Sequence, residues 1–169
     1  MKNENGDKVN KKPVINIDEV AFESHQKEGF CSSYAVVGNQ IGAKKLGYNV
    51  SKVPPGKKVC PLHNHRQTEE MFFILEGIGT LRFGNQTYPL RKGDFIACPA
   101  GGPEVAHQIV NTGEVEMVYI ALSTIDHVDV CEYPESKKMG IYVGTEWGNR
   151  DLRYVCKSDQ PVNYYDGEK

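Results

Sequence analysis

The chain has 169 residues, 39% of them hydrophobic and 25% charged, with a net charge of −2. That length suits one domain with one core, and the balanced charge offers neither a basic surface for nucleic acid nor an acidic tail. No apolar run approaches the roughly 20 residues of a membrane helix, and Met1–Lys12 has no apolar segment of the signal-peptide kind.

Residues 1–12 are rich in Lys and Asn and are expected to be disordered. Residues 13–169 read as a single domain. Pro13–Val20 reads as a short extended piece. Residues 21–42 show no clear period, though Phe22, Phe30, Tyr34, Val36 and Val37 could pack an arm onto the body. From Leu46 onward the pattern is one of short strands. Leu46–Val53 ends at the turn Pro54-Pro55-Gly56, which cannot continue a ladder. Cys60–His65 and Glu70–Leu75 follow, then a turn or bulge at Glu76–Gly79. Thr80–Phe83 and Gln86–Leu90 flank Gly84-Asn85, a two-residue hairpin signal. Asp94–Pro99 and His107–Val110 enclose a Gly/Pro loop, and Val115–Leu122 closes the series. Strands this short and this evenly spaced predict an antiparallel sandwich or barrel, with its core at about residues 43–123.

The runs Met71–Leu75 and Met117–Leu122 are apolar at every position. A strand buried on one face alternates, so a second cover over the outer face is expected. The two candidates are the C-terminal residues 124–169, with Tyr133, Tyr142, Trp147 and Tyr154, and a second copy of the chain. The five cysteines, Cys31, Cys60, Cys98, Cys131 and Cys156, are odd in number and scattered, which predicts reduced thiols in a cytoplasmic protein.

Chemistry concentrates at His63-Asn64-His65, with Glu70 five residues on and His107 at the head of a later strand. In an extended strand His63 and His65 share a face. Glu70 shares the parity of Phe72 and Ile74, whereas the runner-up Glu69 points the other way. Three imidazoles and one carboxylate suit a divalent transition ion such as Fe, Mn, Ni or Zn, and four protein ligands on a six-coordinate ion leave two positions for substrate, water or dioxygen. Weaker candidates for substrate binding are Tyr48, Asn49 and Arg82. Cys60 and Cys98 lie near the same segments, where an inert buried thiol is the simpler reading. Nothing matches a Ser/His/Asp nucleophile, a phosphate-binding loop or a dinucleotide fingerprint.

Six residues separate Gly56 from His63, four separate His65 from Glu70, and six separate Glu70 from Gly77. Downstream, five residues lie between Gly93 and Pro99, Gly101 follows, and three residues separate His107 from Asn111. Over about residues 46–123 this pattern resembles the two signature motifs of the cupin superfamily. It departs from them in a slightly longer Gly56–His63 gap and a longer loop at Gly102–Ala106. The whole chain is similar to small bacterial single-domain cupins, some of them named for sugar-phosphate isomerisation. The resemblance implies an all-β double-stranded β-helix (jelly-roll) barrel with an N-terminal arm and a C-terminal wrap. It implies His63, His65, Glu70 and His107 as ligands of one divalent metal. The implied function is a metal-dependent enzyme on a small polar metabolite, with sugar-phosphate isomerisation as the named reaction. The alternatives are an iron-dependent dioxygenase and a non-enzymatic module that binds a small molecule. The expected partners are a small-molecule substrate and a second copy in a homodimer, with no nucleic acid and no membrane.

Overall fold

A computed structural model describes residues 11–144 and 150–169. The predicted disorder of residues 1–10 and the packing role considered for Trp147 lie outside the described residues. The fold is all-β, as expected: the described residues form thirteen strands and one short α-helix, α1 (Gly38–Ile41). The strands are β1 (Glu23–Lys27), β2 (Phe30–Val36), β3 (Leu46–Val53), β4 (Asn64–His65), β5 (Glu70–Glu76), β6 (Ile78–Phe83), β7 (Gln86–Arg91), β8 (Phe95–Cys98), β9 (His107–Val110), β10 (Met117–Thr124), β11 (Val128–Tyr133), β12 (Lys138–Val143) and β13 (Leu152–Lys157).

One sheet runs β1-β2-β3-β10-β5-β8. The opposing layer is built from two pieces, β7-β6-β9 and β13-β12-β11-β4. Isolated antiparallel bridges Lys58–Val110 and His63–His107 stitch those pieces together through the irregular segment between β3 and β4. The inner faces enclose Val53, Phe72, Ile74, Leu81, Leu90, Ile96, Cys98, Ile109, Met117 and Tyr119. The result is the expected jelly roll.

Several local readings change. Pro13–Val20 is not extended throughout: Asn16 accepts the backbone N–H of Asp18 and caps a single 3-10 turn at Ile17–Glu19. The unassigned residues 21–42 form the β1–β2 hairpin and α1. Of the strand expected at Cys60–His65, only Asn64–His65 pairs as a ladder, against β11. The register between β10 and β5 shifts at Leu75, just before Glu76–Gly79, and Gly77 takes φ +84°. A Cβ there would lie 2.9 Å from the Met117 Cα, so the position demands glycine.

The C-terminal segment does not cover the two-sided apolar strands. β11, β12 and β13 instead extend the other layer edge to edge, because β4 offers an unpaired edge. The outer face of the larger sheet therefore carries a cross-strand row, Ala35–Val50–Ile120–Phe73–Phe95. Ala35 and Val50 are buried, whereas Phe95 is 72% exposed. Ile17, Val20 and Phe22 of the N-terminal arm line a cavity at one end of this face, beside Lys52, Phe73 and Val118.

Asn111 is fully buried and ties the turns at one end of the barrel. Its Nδ2 donates to Val53 O (2.7 Å) and Val115 O (2.8 Å), and its Oδ1 accepts from Gly113 N (2.9 Å). Its own backbone exchanges hydrogen bonds with Lys57 O and Gly56 N. Leucine has the same branching and heavy-atom count but is bulkier and makes no hydrogen bond, so it would leave all three side-chain partners unpaired. Asn111→Leu is expected to cost about 2–4 kcal/mol, measured by urea denaturation with metal-free wild type as reference.

Candidate metal centre

The three histidines reach the site from the seam in the second layer. The backbones of His63 and His107 exchange two hydrogen bonds: His63 N donates to His107 O (3.2 Å) and His107 N to His63 O (2.7 Å). Their rings consequently stand 4.7 Å apart, centroid to centroid. His65 follows on the same face as His63. Glu70 arrives from the opposing sheet as the first residue of β5, paired with Cys98 and Ser123.

The Nε2 atoms of all three rings converge on one oxygen. Glu70 Oε2 lies 2.9 Å from His107 Nε2, 3.4 Å from His65 Nε2 and 3.5 Å from His63 Nε2. The opposite ring nitrogens are all committed elsewhere. Nδ1 of His63 donates to Pro61 O (2.9 Å), that of His107 to Val105 O (3.2 Å) and that of His65 to Asp129 Oδ2 (2.6 Å). A carbonyl or carboxylate oxygen only accepts, so each Nδ1 carries a proton and each Nε2 is left for the centre, where it can bind a cation or, in the metal-free chain, hold a proton toward Glu70. The structure thus brings together all four predicted ligands. Glu69, the runner-up, is turned away, with its backbone paired to Thr124.

The longer loop at Gly102–Ala106 contributes to this arrangement. A 3-10 turn at Pro103–Val105 presents the Val105 carbonyl to His107, and Gly101 N donates to His65 O (2.8 Å). His107 stays at the head of its strand.

Sequence reasoning missed Asp129. It lies on β11, 5% exposed, and works with both oxygens. Oδ2 holds His65, while Oδ1 accepts from the backbones of Gln67 (3.1 Å) and Thr68 (3.3 Å). One carboxylate thus orients a ligand and shapes the connection that delivers Glu70. The signal was an aspartate inside the alternating run Val128–Tyr133, where aspartate is disfavoured. Cys131 and Tyr133 share its parity. Cys131 pairs across the strands with His65, and the Tyr133 ring lies 6.3 Å from that of His63.

Charge decides what this pocket can hold. Burial would raise the pKa of Glu70, but hydrogen bonds from His107, His63 and His65 hold it well below the usual carboxylate range. Asp129 likewise is held low by His65 and the Gln67 and Thr68 amides despite its burial. Among the described residues, no Lys or Arg pairs with either carboxylate. In the metal-free chain protons compensate instead. Burial disfavours charge on His65, yet Asp129 and Glu70 raise its pKa to about 9; His63, buried as well, is pushed up by Cys60 and Glu70. A cation that displaced those protons would meet three neutral imidazoles and Glu70, and its charge would balance that of Glu70 and Asp129, so the donor set fits a divalent metal.

The weaker substrate candidates fare differently, for reasons of strand parity. Arg82 alternates with the core residue Leu81 and points outward, donating to Gln108 Oε1 (2.8 Å) and Glu135 Oε1 (2.5 Å). Tyr48 lines an outer groove of about 310 Å³ with Val37, Val50, Ile120 and Leu122. The structure brings neither to the His/Glu group. Asn49 borders the same groove, but its register pairs it with Ala121, which pairs with Phe72, the residue beneath the His107 ring.

The family model described as Cupin domain matches residues 49–123. Over 71 residues the chain is 38% identical to an uncharacterized protein of Methanocaldococcus jannaschii (42% of this chain, 54% of that protein). Over 71 residues it is 32% identical to an oxalate-binding protein of Thermotoga maritima (42% of this chain, 55% of that protein). The match thus spans about half the length of these curated relatives. Among solved structures, a protein of Acidithiobacillus ferrooxidans provisionally named sugar phosphate isomerase superposes with a TM-score of 0.77 at 25% identity, covering 90% of this chain and 97% of that one. Among the described residues, no helix is long and apolar enough to cross a membrane.

The raised pKa of His65 makes the metal-free protein sensitive to alkali. Protonated His65 is favoured in the folded chain, so its contribution is complete below its ordinary pKa of 6.5 and is lost as pH rises through about 9. The melting temperature of chelator-treated protein should fall across that window. Asp129→Asn, which removes the main partner of the imidazolium, should flatten the slope.

Proposed function

We propose that this chain, whose residues 49–123 match the cupin-domain model, is a metal-dependent enzyme acting on a small polar metabolite, with sugar-phosphate isomerisation as its reaction. The carrying observation is the convergence of the His63, His65 and His107 Nε2 atoms on Glu70 Oε2. These four residues would hold the ion, and the ion would act as a Lewis acid on a substrate carbonyl. Asp129 keeps His65 in the required tautomer. Burial, Cys131 and Tyr142 push the Tyr133 phenol up, so at neutral pH it offers a proton in a hydrogen bond and is no base. The name of the Acidithiobacillus protein, similar over nearly its whole length, supports the reaction class.

The name of the Thermotoga relative favours a second reading, in which the site binds a small chelating carboxylate without turnover. The test is metal content by mass spectrometry, combined with assays on the same protein. The expected result is about one equivalent of a first-row metal and interconversion of aldose and ketose phosphates, with both largely lost in His107→Ala. Oxalate binding with no turnover of sugar phosphates would favour the second reading, and oxygen consumption would favour a dioxygenase. Protein that stays empty after metal is supplied would overturn the metal-centre reading.

The five free thiols support a reducing, cytoplasmic setting. A homodimer is part of the same proposal, supported by the exposed Phe95, Met71 and Leu46 on the outer face of the larger sheet. Light scattering should give twice the 18.9 kDa chain mass, and Phe95→Lys should return it to one chain. A wild-type mass of one chain at micromolar concentration would exclude the dimer.

A further inference from the structure

The pocket contains two groups of donor atoms that overlap. In one, His63, Glu70 and His107 each place a ligand atom within 4.8 Å of the others; in the other, His63, His65 and Cys131 do the same. The first set is nitrogen and carboxylate oxygen, the second nitrogen and sulfur. Cys131 is 3% exposed and sits directly across from His65, on the strand that also carries Asp129.

Resting on the metal-centre reading above, we propose that Cys131, with His63 and His65, forms an alternative sulfur-containing site for thiophilic divalent cations such as Zn²⁺ or Cd²⁺, while harder cations such as Mn²⁺ use the Glu70 and His107 side. Thiolate sulfur favours the softer ions and carboxylate oxygen the harder ones. The Cys131 thiol gives its proton to solvent as the sulfur–metal bond forms. His63 belongs to both sets, so the two kinds of cation exclude one another and total occupancy stays at one.

The other thiols near the site do not fit this role. Cys60 Sγ lies 3.7 Å from His63 Nδ1, the ring edge already committed to Pro61 O and facing away from the converging Nε2 atoms. Cys98 is buried beside Glu70 and belongs to neither group.

The test titrates metal-free protein with Cd²⁺, following the near-ultraviolet sulfur-to-cadmium charge-transfer absorption, and with Mn²⁺, following the loss of the free-ion electron paramagnetic resonance signal. Wild type should bind one Cd²⁺ with a sulfur band, and Mn²⁺ should compete for the site. Cys131→Ser should lose the band and weaken Cd²⁺ binding by about tenfold or more, the low end of what losing a supporting group costs a metal site. Its continued uptake of Mn²⁺ would report that it has folded. Cys60→Ser should keep the band. Mn²⁺ binding by wild type without a cadmium–sulfur band would overturn this inference and leave the metal-centre reading standing. A band that survives in Cys131→Ser, or that vanishes in Cys60→Ser, would likewise overturn it. Failure of wild type to bind either cation would overturn both readings.

Discussion

The two hydrogen bonds between the backbones of His63 and His107 are the contact on which the rest of this protein depends. They join segments more than forty residues apart in the chain, at a seam that the second layer closes with isolated bridges, here and at Lys58–Val110, and not with a ladder. On one side lies the β7-β6-β9 piece, on the other the strands that end at β13. Without this seam the layer would divide in two, and the imidazoles would have no common origin. Placing ligands on paired backbone atoms fixes their spacing more tightly than loops could. The flanking residues reinforce it: Gly101 holds the His65 carbonyl, and Asn111 anchors the far end of β9.

Around that seam the chain has gathered negative charge without the usual cationic partners. Glu70 and Asp129 are held ionised by imidazoles and amides, with no Lys or Arg beside them among the described residues. Such a pocket is costly to leave uncompensated, which is why the metal-free chain draws protons onto His63 and His65. Protons and cations compete for the same lone pairs. The outer face of the layer uses charge differently: Arg82 with Glu135, and Arg66 with Glu132 at 2.9 Å, are ion pairs open to solvent that orient loops.

Much of this was legible in the chain because strand parity is a strict rule. His63, His65 and Glu70 fell on the right faces because alternation in a pleated strand leaves no choice, and the glycines and Pro99 set the spacing between them. The same rule was insufficient for Tyr48 and Arg82, since parity gives two faces and only tertiary closure says which is inside. Asp129 was harder still. Its contact with His65 crosses more than sixty residues, and nothing local distinguishes a strand aspartate that supports a ligand from one that meets water. Apolar strands need a cover, and the C-terminal residues were one of two candidates for it, beside a second copy of the chain. The free edge of β4 supplied a stronger demand, because unpaired backbone hydrogen-bonding groups cost more to leave than exposed side-chain carbon.

The position of β11 sets the limits of the functional unit. The match to the cupin domain ends at residue 123, yet the carboxylate that fixes His65 and the turn leading to Glu70 lies beyond it, at Asp129. A graft that carried only the matched segment into another protein would transfer the ligands without the group that aims one of them. The heritable module here is longer than its signature. Change in the C-terminal strands can retune the centre while every signature residue stays in place.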